Sequence, residues 1–269
     1  MSYLSTAFYI LNQRGGHLDI IALIILGIVQ GATEFLPVSS SGHLVMLGKF
    51  FNVPDSLFVS IILHLATLLS IVVVLRKEVF SLIKRPFCDT SLKLMVATIP
   101  TCIIALILMP LISDAFSGAY LWVCFLITAI VLFLSDHFSK FNVEPRKLTY
   151  KQAFIMGIAQ GLAVFPGVSR SGSTISAGNL SGASREKTAK FSFLMSIPVI
   201  LLSLVLEVYK IVSQGEVISV NILGLVLAFI CAFIVGVVSI KGMIKLTQKA
   251  GLSPFAFYLI AVAILNIFL

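Results

Sequence analysis

The sequence predicts an all-α integral membrane protein with six transmembrane helices and two re-entrant helix–loop–helix pairs, and three observations carry this prediction. The 269-residue chain is 59% hydrophobic and 11% charged, whereas a soluble domain carries about 25% charged residues. Uncharged apolar runs recur along it, and a helix that crosses a bilayer needs roughly 20 such residues. One stretch also occurs twice, as expected for a duplicated membrane fold.

The duplicated stretch comprises residues 27–43, GIVQGATEFLPVSSSGH, and residues 157–173, GIAQGLAVFPGVSRSGS. The copies align without a gap at an offset of 130, and nine of the seventeen positions are identical. They differ at positions suited to chemistry, because Glu34 and His43 occur only in the first copy and Arg170 only in the second. We therefore expect a symmetric scaffold with a distinct chemistry in each half.

Each copy is expected to interrupt a helix. Pro37 ends the first helix because proline lacks the N–H group and clashes one turn back, and a serine run such as the one that follows is disfavoured inside helices. We predict broken pairs over residues 18–51 and 152–180. Non-helical backbone at membrane depth must be buried in protein or line a cavity. The six full spans are predicted at residues 57–75, 94–113, 119–136, 191–209, 219–240 and 252–269.

The charges of the loops indicate which side of the membrane each loop faces. If both broken pairs enter and leave by the same face, 15 of the 19 Lys and Arg residues fall on one side, which is then the cytoplasmic side. Three spans separate the two copies, and an odd number inverts the second copy relative to the first. The expectation is one membrane domain over residues 1–269, with repeats at 18–136 and 149–269 and a linker at 137–148. The two loops would approach from opposite faces and build one central site.

Composition also excludes other classes of protein. The net charge of +8 comes from basic residues scattered between apolar runs, as topology-setting loop charges are, so no nucleic-acid partner is expected. The four cysteines form no CxxC pair and are expected to behave as small hydrophobic residues. The first seventeen residues show no cationic start before an apolar run, so no cleaved signal peptide is expected.

Arg170 is the strongest functional signal, since it falls at the expected tip of a re-entrant loop. A charge at membrane depth is costly and is usually functional. A Gly/Ser turn that opens onto a helix start can cradle an anion, and arginine adds paired donors matched to phosphate oxygens. The donors expected around Arg170 are supplied by Gly167, Ser169, Ser171, Gly172, Ser173 and Thr174.

Glu34 and Gln30 are four residues apart, so on a helix they share one face. Their oxygens are hard ligands suited to Mg²⁺ or Ca²⁺, which makes them candidates for a divalent-cation site. Two alternatives stay open. Glu34 can instead pair with Arg170 as a buried ion pair, and Gln30 can be a structural hydrogen bonder, because Gln160 recurs at the equivalent position.

His43 and the serine run supply candidate catalytic groups. The imidazole of His43 can act as general acid or base, and Ser39, Ser40 and Ser41 are candidate nucleophiles, since a hydroxyl beside a base can be activated. The alternative for the serines is that they cap the returning helix. His64, inside the first full span, is expected to be a core histidine, and a place in the lining of the site is the alternative.

The QGATEFLPVSSSGH and FPGVSRSGST stretches resemble the two signatures of bacterial undecaprenyl-diphosphate phosphatases of the bacitracin-resistance type. The resemblance implies removal of the terminal phosphate of undecaprenyl diphosphate, a divalent cation, a duplicated inverted fold, a place in the bacterial cytoplasmic (inner) membrane, and competition with bacitracin for the substrate. Gln30 departs from the pattern, because many members of the family have glutamate there. A metal site with two carboxylates is therefore less well supported here, and Glu34 becomes the main candidate ligand. By position, functional roles fall on Glu34, Ser40, His43, Ser169, Arg170 and Thr174.

The interpretation is a membrane pyrophosphatase acting on a polyprenyl diphosphate, with Ser40 as nucleophile and His43 as its proton partner. Direct attack by water, with His43 as base, stays open. The rival interpretations are a secondary transporter or lipid flippase, which an inverted repeat also fits, and a non-catalytic resistance factor that sequesters lipid. The serine–histidine cluster favours chemistry, because transport does not need it. The expected partners are the substrate lipid, membrane lipids and, as an open alternative, a second copy in a homodimer.

Overall fold

The computed structural model describes residues 17–51, 57–115, 120–139, 147–214 and 221–268, and these residues form eleven α-helices and no strand. The helices are α1 (His17–Thr33), α2 (Ser40–Phe51), α3 (Leu57–Val74), α4 (Arg76–Lys84), α5 (Asp89–Ala115), α6 (Leu121–Phe138), α7 (Tyr150–Leu162), α8 (Arg170–Leu180), α9 (Arg185–Gln214), α10 (Ile222–Lys249) and α11 (Ser253–Ile267).

The structure confirms an all-helical protein that crosses the membrane several times. Four described helices, α5, α6, α9 and α10, are long and apolar enough to span a bilayer. The pair α3–α4, bent by 88° at its break, is a fifth candidate. The helix at the last predicted span, α11, has only 15 residues, which is short for a full crossing. By length and composition the described helices therefore supply four or five spans, and the full count of six stays a prediction.

Several predicted boundaries are wrong because helices continue beyond the apolar segments that defined the spans. The span predicted at 94–113 lies within a helix of 27 residues. Residues 222–240 of the span predicted at 219–240 lie within a helix that ends nine residues later, at Lys249. Helix α4, which was placed in a link, is a separate amphipathic helix. Hydropathy shows where the side chains of a helix stop being apolar. Backbone hydrogen bonding, and with it the helix, continues through the turns that carry charged residues.

Both predicted helix breaks are confirmed. The first covers residues 34–39, between α1 and α2, and the second covers residues 163–169, between α7 and α8. Each returning helix begins after an equivalent serine. The side-chain oxygens of Ser39 and Ser169 accept the backbone N–H three residues later, at 3.4 and 3.0 Å. The expectation that a serine caps the returning helix is therefore correct for Ser39.

The two halves of the chain pack mainly against each other. From the first half, α1 contacts α10, α5 contacts α7, and α6 contacts α11; α3 lies against both α9 and α10. The largest buried apolar cluster likewise draws from both halves, with Phe35 and Phe125 from one and Phe193 and Leu259 from the other.

Equivalent glycines allow two of these close helix contacts. A Cβ on Gly27 would lie 2.3 Å from the carbonyl oxygen of Ala228, and a Cβ on Gly157 would lie 2.2 Å from that of Ala97. Small residues let helix backbones approach closely in membrane proteins. The duplication therefore preserves the packing glycine in both halves, where α1 meets α10 and α7 meets α5.

We predict that Gly157→Ala destabilises the protein, because the added methyl group would meet backbone atoms that cannot rotate away. Overpacking of this kind costs about 1–3 kcal/mol. Gly242→Ala is the matched control, since this helical glycine has open space around it and alanine is the better helix former. Thermal unfolding in detergent measures both variants. Equal stability of the two would contradict the close-packing role.

Candidate active site

The two helix breaks lie against each other, as predicted. The backbone N–H of Gly167 donates to Ser39 Oγ at 3.1 Å. The hydroxyl of Ser171 donates to the carbonyl oxygen of Leu36 at 2.9 Å. Together these hydrogen bonds join the loops of the duplicated stretch into one buried centre.

Unusual backbone geometry and one threonine shape this centre. Ser39 has φ 69° and Gly167 has φ 93°, and the left-handed region is uncommon for a residue with a side chain. Thr128 on α6 accepts the N–H of Ser169 at 3.0 Å and lies 3.2 Å from the carbonyl oxygen of Gly167, to which its hydroxyl donates. A Cβ on Gly167 would lie 2.6 Å from the Cβ of Cys124. The second loop is therefore held against α6 and has no room for a larger residue at this point.

Glu34 is the residue that connects the polar side chains of this centre, and we call it the hub. Its carboxylate is buried, and Arg170 Nη2 donates to its Oε1 atom. Ser40 Oγ donates to Oε2 at 2.6 Å, and Gln30 Nε2 donates to the same atom at 3.0 Å. The ion pair between Glu34 and Arg170 is thus present, and it neutralises both charges in a buried setting. The same carboxylate also holds the hydroxyl of the predicted nucleophile.

A cavity of about 640 Å³ opens beside this hub. Much of its remaining wall is apolar, with Leu26, Val59 and Ile200 as examples. A polar end and an apolar wall fit a ligand with a charged head and a hydrocarbon tail. The predicted site residues that line the cavity are Glu34, Ser39, Ser40, Ser41, Ser169, Arg170 and Ser171.

His43 has a different position from the one expected. Its Nδ1 atom lies 2.7 Å from the carbonyl oxygen of Ser39, and its Nε2 atom lies 2.8 Å from the hydroxyl of Tyr258 on α11. The imidazole stacks on the ring of Tyr258 and meets the edge of Phe125. The expected hydrogen bond with Ser40 does not form, because Glu34 takes the serine hydroxyl and Tyr258 takes the imidazole.

Four further predicted residues support the loops and do not line the cavity: Gly167, Gly172, Ser173 and Thr174. The hydroxyl of Thr174 is 2.6 Å from that of Ser192 and joins α8 to α9. A Cβ on Gly172 would lie 3.3 Å from that of Pro37, so this glycine lets the two loops approach. The backbone N–H of Ser173 continues the helix by donating to the carbonyl of Ser169.

The cation expected at Glu34 and Gln30 stays a prediction, and the contacts of both residues bear on it. An ionised carboxylate offers about four lone-pair positions, and three donors already occupy Glu34. Gln30 turns its NH₂ group toward Glu34, and its oxygen is buried without a hydrogen-bond partner among the described residues. Within the described ranges, no three His, Cys, Asp or Glu side chains form a group that could hold a metal ion.

Several polar residues that line the cavity were not predicted to do so. The expectation that His64 is a core residue is wrong, since it lines the cavity together with Glu207 and Lys210. Glu207 lies inside the span predicted at 191–209, so the rule for charges at membrane depth that identifies Arg170 applies to it as well. Gln160, expected to be structural, also reaches the cavity wall and donates to Thr101 Oγ1 at 3.3 Å.

This fold and site define a class of protein. The protein is a multi-pass helical membrane protein in which a serine, a carboxylate and an arginine meet at the polar end of a largely apolar cavity. The combination suits phosphoryl chemistry on an amphiphilic substrate.

The chain belongs to the family described as Bacitracin resistance protein BacA, whose model matches residues 23–265. A protein of Thermosipho melanesiensis named undecaprenyl-diphosphatase is 41% identical, over 90% of this chain and 96% of its own length. Proteins with the same name from Christiangramia forsetii and Carboxydothermus hydrogenoformans are 40% and 38% identical. These cover 92% and 87% of this chain and 97% and 91% of their own lengths.

The position of His43 generates a prediction. Tyr258→Phe removes the hydroxyl partner of the imidazole, and the loss of one such hydrogen bond costs about 0.5–1.5 kcal/mol. We expect lower thermal stability and near-normal turnover, because Ser40 and Glu34 keep their contact. Tyr209→Phe, at an exposed position of α9, is the control. A large loss of kcat/KM in Tyr258→Phe would contradict this expectation and would indicate that His43 takes part in the reaction.

Proposed function

We propose that this chain hydrolyses undecaprenyl diphosphate to undecaprenyl phosphate and inorganic phosphate at the cavity between the two helix breaks. Membership of the bacitracin-resistance family and the names of its relatives support this activity. The protein is then a multi-pass hydrolase of the inner membrane that serves cell-wall synthesis and gives bacitracin resistance. No observation favours the transporter interpretation. The observation that carries the proposal is the joint contact of Glu34 with Ser40 and Arg170.

In the first step Ser40 is the nucleophile and Glu34 is its base. The hydroxyl already donates to the carboxylate at 2.6 Å, so its proton has an acceptor when Oγ attacks the terminal phosphorus. The Oγ–P bond forms, the P–O bond to the inner phosphate breaks, and undecaprenyl phosphate leaves. This assigns to Glu34 the role that the sequence indicated for His43.

The second step regenerates the serine. Glu34, protonated in the first step, returns that proton to Oγ as water attacks the phosphorus and the Oγ–P bond breaks; the protons of the attacking water stay with the inorganic phosphate, which leaves. Direct attack by water on the substrate, with Glu34 as base, is the alternative that the same geometry permits. A covalent intermediate distinguishes the two routes.

Arg170 stabilises the charge on the transferred group. Its Nη2 atom contacts Glu34, and its side chain is 22% exposed, with the residue lining the cavity. The remaining guanidinium donors are suited to phosphate oxygens, and charge stabilisation supplies most of the catalysis of phosphoryl transfer. The cavity serines Ser169 and Ser171 supply further hydroxyl donors.

The finer architecture is part of the proposal. Six spans and two re-entrant pairs in an inverted repeat, over residues 18–136 and 149–269, are supported by the equivalent serine caps, the equivalent packing glycines and the cross-packing of the two halves. Most of the linker expected at 137–148 lies outside the described residues. Competition with bacitracin and a homodimer stay predictions.

Phosphate release from a polyprenyl diphosphate by purified protein in detergent tests the activity. We expect stoichiometric inorganic phosphate and polyprenyl monophosphate. A transporter or a lipid-sequestering factor would release neither.

Ser40→Ala should lower kcat/KM by at least about a thousandfold, since loss of a nucleophile costs that much or more. Ser41→Ala is the matched control, because this neighbouring serine also lines the cavity but makes no hydrogen bond to Glu34. Mass spectrometry of acid-quenched wild-type enzyme should find phosphate on Ser40. Substantial activity in Ser40→Ala would favour direct attack by water.

Arg170→Lys should fold and still lose at least about a hundredfold in kcat/KM, the usual loss when a preorganised donor is removed. Lysine keeps the charge that balances Glu34 but loses the planar fork. Arg76→Lys, at an exposed position of α4, is the control. Normal turnover in Arg170→Lys would show that charge alone suffices. Arg170→Ala should in addition be destabilised, because Glu34 would be left buried without its partner.

A further inference from the structure

Helix α4 is turned away from the helix that precedes it. Helix α3 has 18 residues, none of them Asp, Glu, Lys or Arg, so it is about 27 Å long, close to the roughly 30 Å of the hydrocarbon core of a bilayer. The axis of α4 is bent from that of α3 by 88°. When α3 crosses the bilayer, α4 therefore lies along its surface, at the depth of the lipid head groups.

One side of α4 is fixed to the protein. Val79 and Leu82 are partly buried and pack against the largest apolar cluster, to which the buried Leu75 just before the helix also belongs. These contacts hold the helix in position while its opposite side faces outward.

The outward side of α4 carries large apolar residues. Phe80 and Ile83 are 60% and 71% exposed, and Phe87, just after the helix, is 79% exposed. Phe80 and Ile83 are three residues apart, so they are neighbours on the helix surface. A helix that lies in the membrane interface buries such residues at the boundary between head groups and acyl chains.

An open pocket with basic walls adjoins Phe80. Its volume is about 530 Å³, its walls include Lys77, Lys84 and Arg85, and we call it the basic pocket. Lys84 Nζ lies 4.9 Å from the centroid of the Phe80 ring. The three cations form no ion pair within the described residues. Glu78, the acidic residue of α4, is half-buried and does not line the pocket. The pocket therefore presents positive charge that no carboxylate balances.

A ligand that fits this surface combines a negative charge with an apolar part. A free phosphate ion or a nucleic acid would match the cations but would leave Phe80 and Ile83 uncovered. An anionic phospholipid matches both features, because basic residues beside the membrane attract its head group while its acyl chains cover apolar side chains. The long stems of lysine and arginine also let their charged ends reach head groups.

We infer that the basic pocket binds the phosphate of an anionic phospholipid, whose acyl chains cover Phe80 and Ile83. The bound lipid holds α4 at the membrane surface, next to its bend with α3. The basic pocket is separate from the cavity at the helix breaks, because the two share no lining residue. This lipid is therefore not the substrate, and its binding does not depend on the proposed hydrolysis.

Native mass spectrometry of the purified protein in detergent measures this binding. The protein is titrated with phosphatidylglycerol, which is anionic, and with phosphatidylcholine of the same acyl chains, which has no net charge. We expect phosphatidylglycerol to bind at least about tenfold more tightly, because lysine and arginine near a membrane surface attract anionic lipids. Equal affinity for the two lipids would overturn the inference.

The triple variant Lys77→Gln, Lys84→Gln, Arg85→Gln tests the pocket itself. It should bind phosphatidylglycerol at least about tenfold more weakly than the wild type, because three attractive charges are lost. All three side chains are exposed, so thermal unfolding in detergent should be unchanged. Wild-type affinity in this variant would contradict the assignment.

The matched control removes three charges elsewhere. Lys241→Gln, Lys245→Gln and Lys249→Gln change exposed positions of α10 that lie outside the basic pocket. This variant should bind phosphatidylglycerol as the wild type does. A loss equal to that of the α4 variant would show that net charge alone attracts the lipid, and would overturn a defined site.

Two further measurements distinguish a lipid from a soluble anion. Glycerol phosphate, a head group without acyl chains, should not displace phosphatidylglycerol at equal concentration. The double variant Phe80→Ser, Ile83→Ser keeps every charge and should still weaken phosphatidylglycerol binding by about tenfold or more, because apolar contact is lost. Displacement by glycerol phosphate, or wild-type affinity in the double variant, would assign the pocket to a soluble anion and overturn the inference.

Discussion

The buried ion pair between Glu34 and Arg170 is the interaction on which the rest of the site depends. Each residue follows or begins a helix at one of the two breaks, so the pair joins the halves of the chain at their centre. A lone charge in this position would be strongly unfavourable, whereas a hydrogen-bonded pair can be tolerated. The pair also fixes the carboxylate that receives the Ser40 hydroxyl. One contact therefore joins the two loops and holds the carboxylate beside the Ser40 hydroxyl.

The duplication explains how such a site can be built from a simple scaffold. Equivalent serines cap the two returning helices, and equivalent glycines admit the neighbouring helix. These features are needed in both halves and are identical in both copies. The polar groups that meet at the site are not shared, because Glu34 and Ser40 belong to one copy and Arg170 to the other. A symmetric frame thus holds an asymmetric site.

The cavity suits a substrate that stays in the membrane. Charged and hydroxyl groups gather at the loops, and much of the remaining wall is apolar. The outer faces of the long helices expose large apolar side chains, such as Leu106 and Ile107 on α5, as expected for surfaces that face lipid. A lipid diphosphate can therefore place its head group at the hub while its tail remains in an apolar environment. The relatives' shared name agrees with this reading.

The sequence by itself determined the membrane class and the two helix breaks, and it identified Glu34, Ser40 and Arg170 as candidate site residues. Composition, a helix-breaking proline and an internal repeat are properties of the chain alone, so they can be recognised without coordinates. Only the tertiary structure decided the partners of these groups. His43 turns to Tyr258, which is 215 residues away, and His64 and Glu207 line the same cavity because α3 packs on α9. Hydrogen-bond partners and cavity walls depend on which helices become neighbours, and spacing along the chain does not encode that.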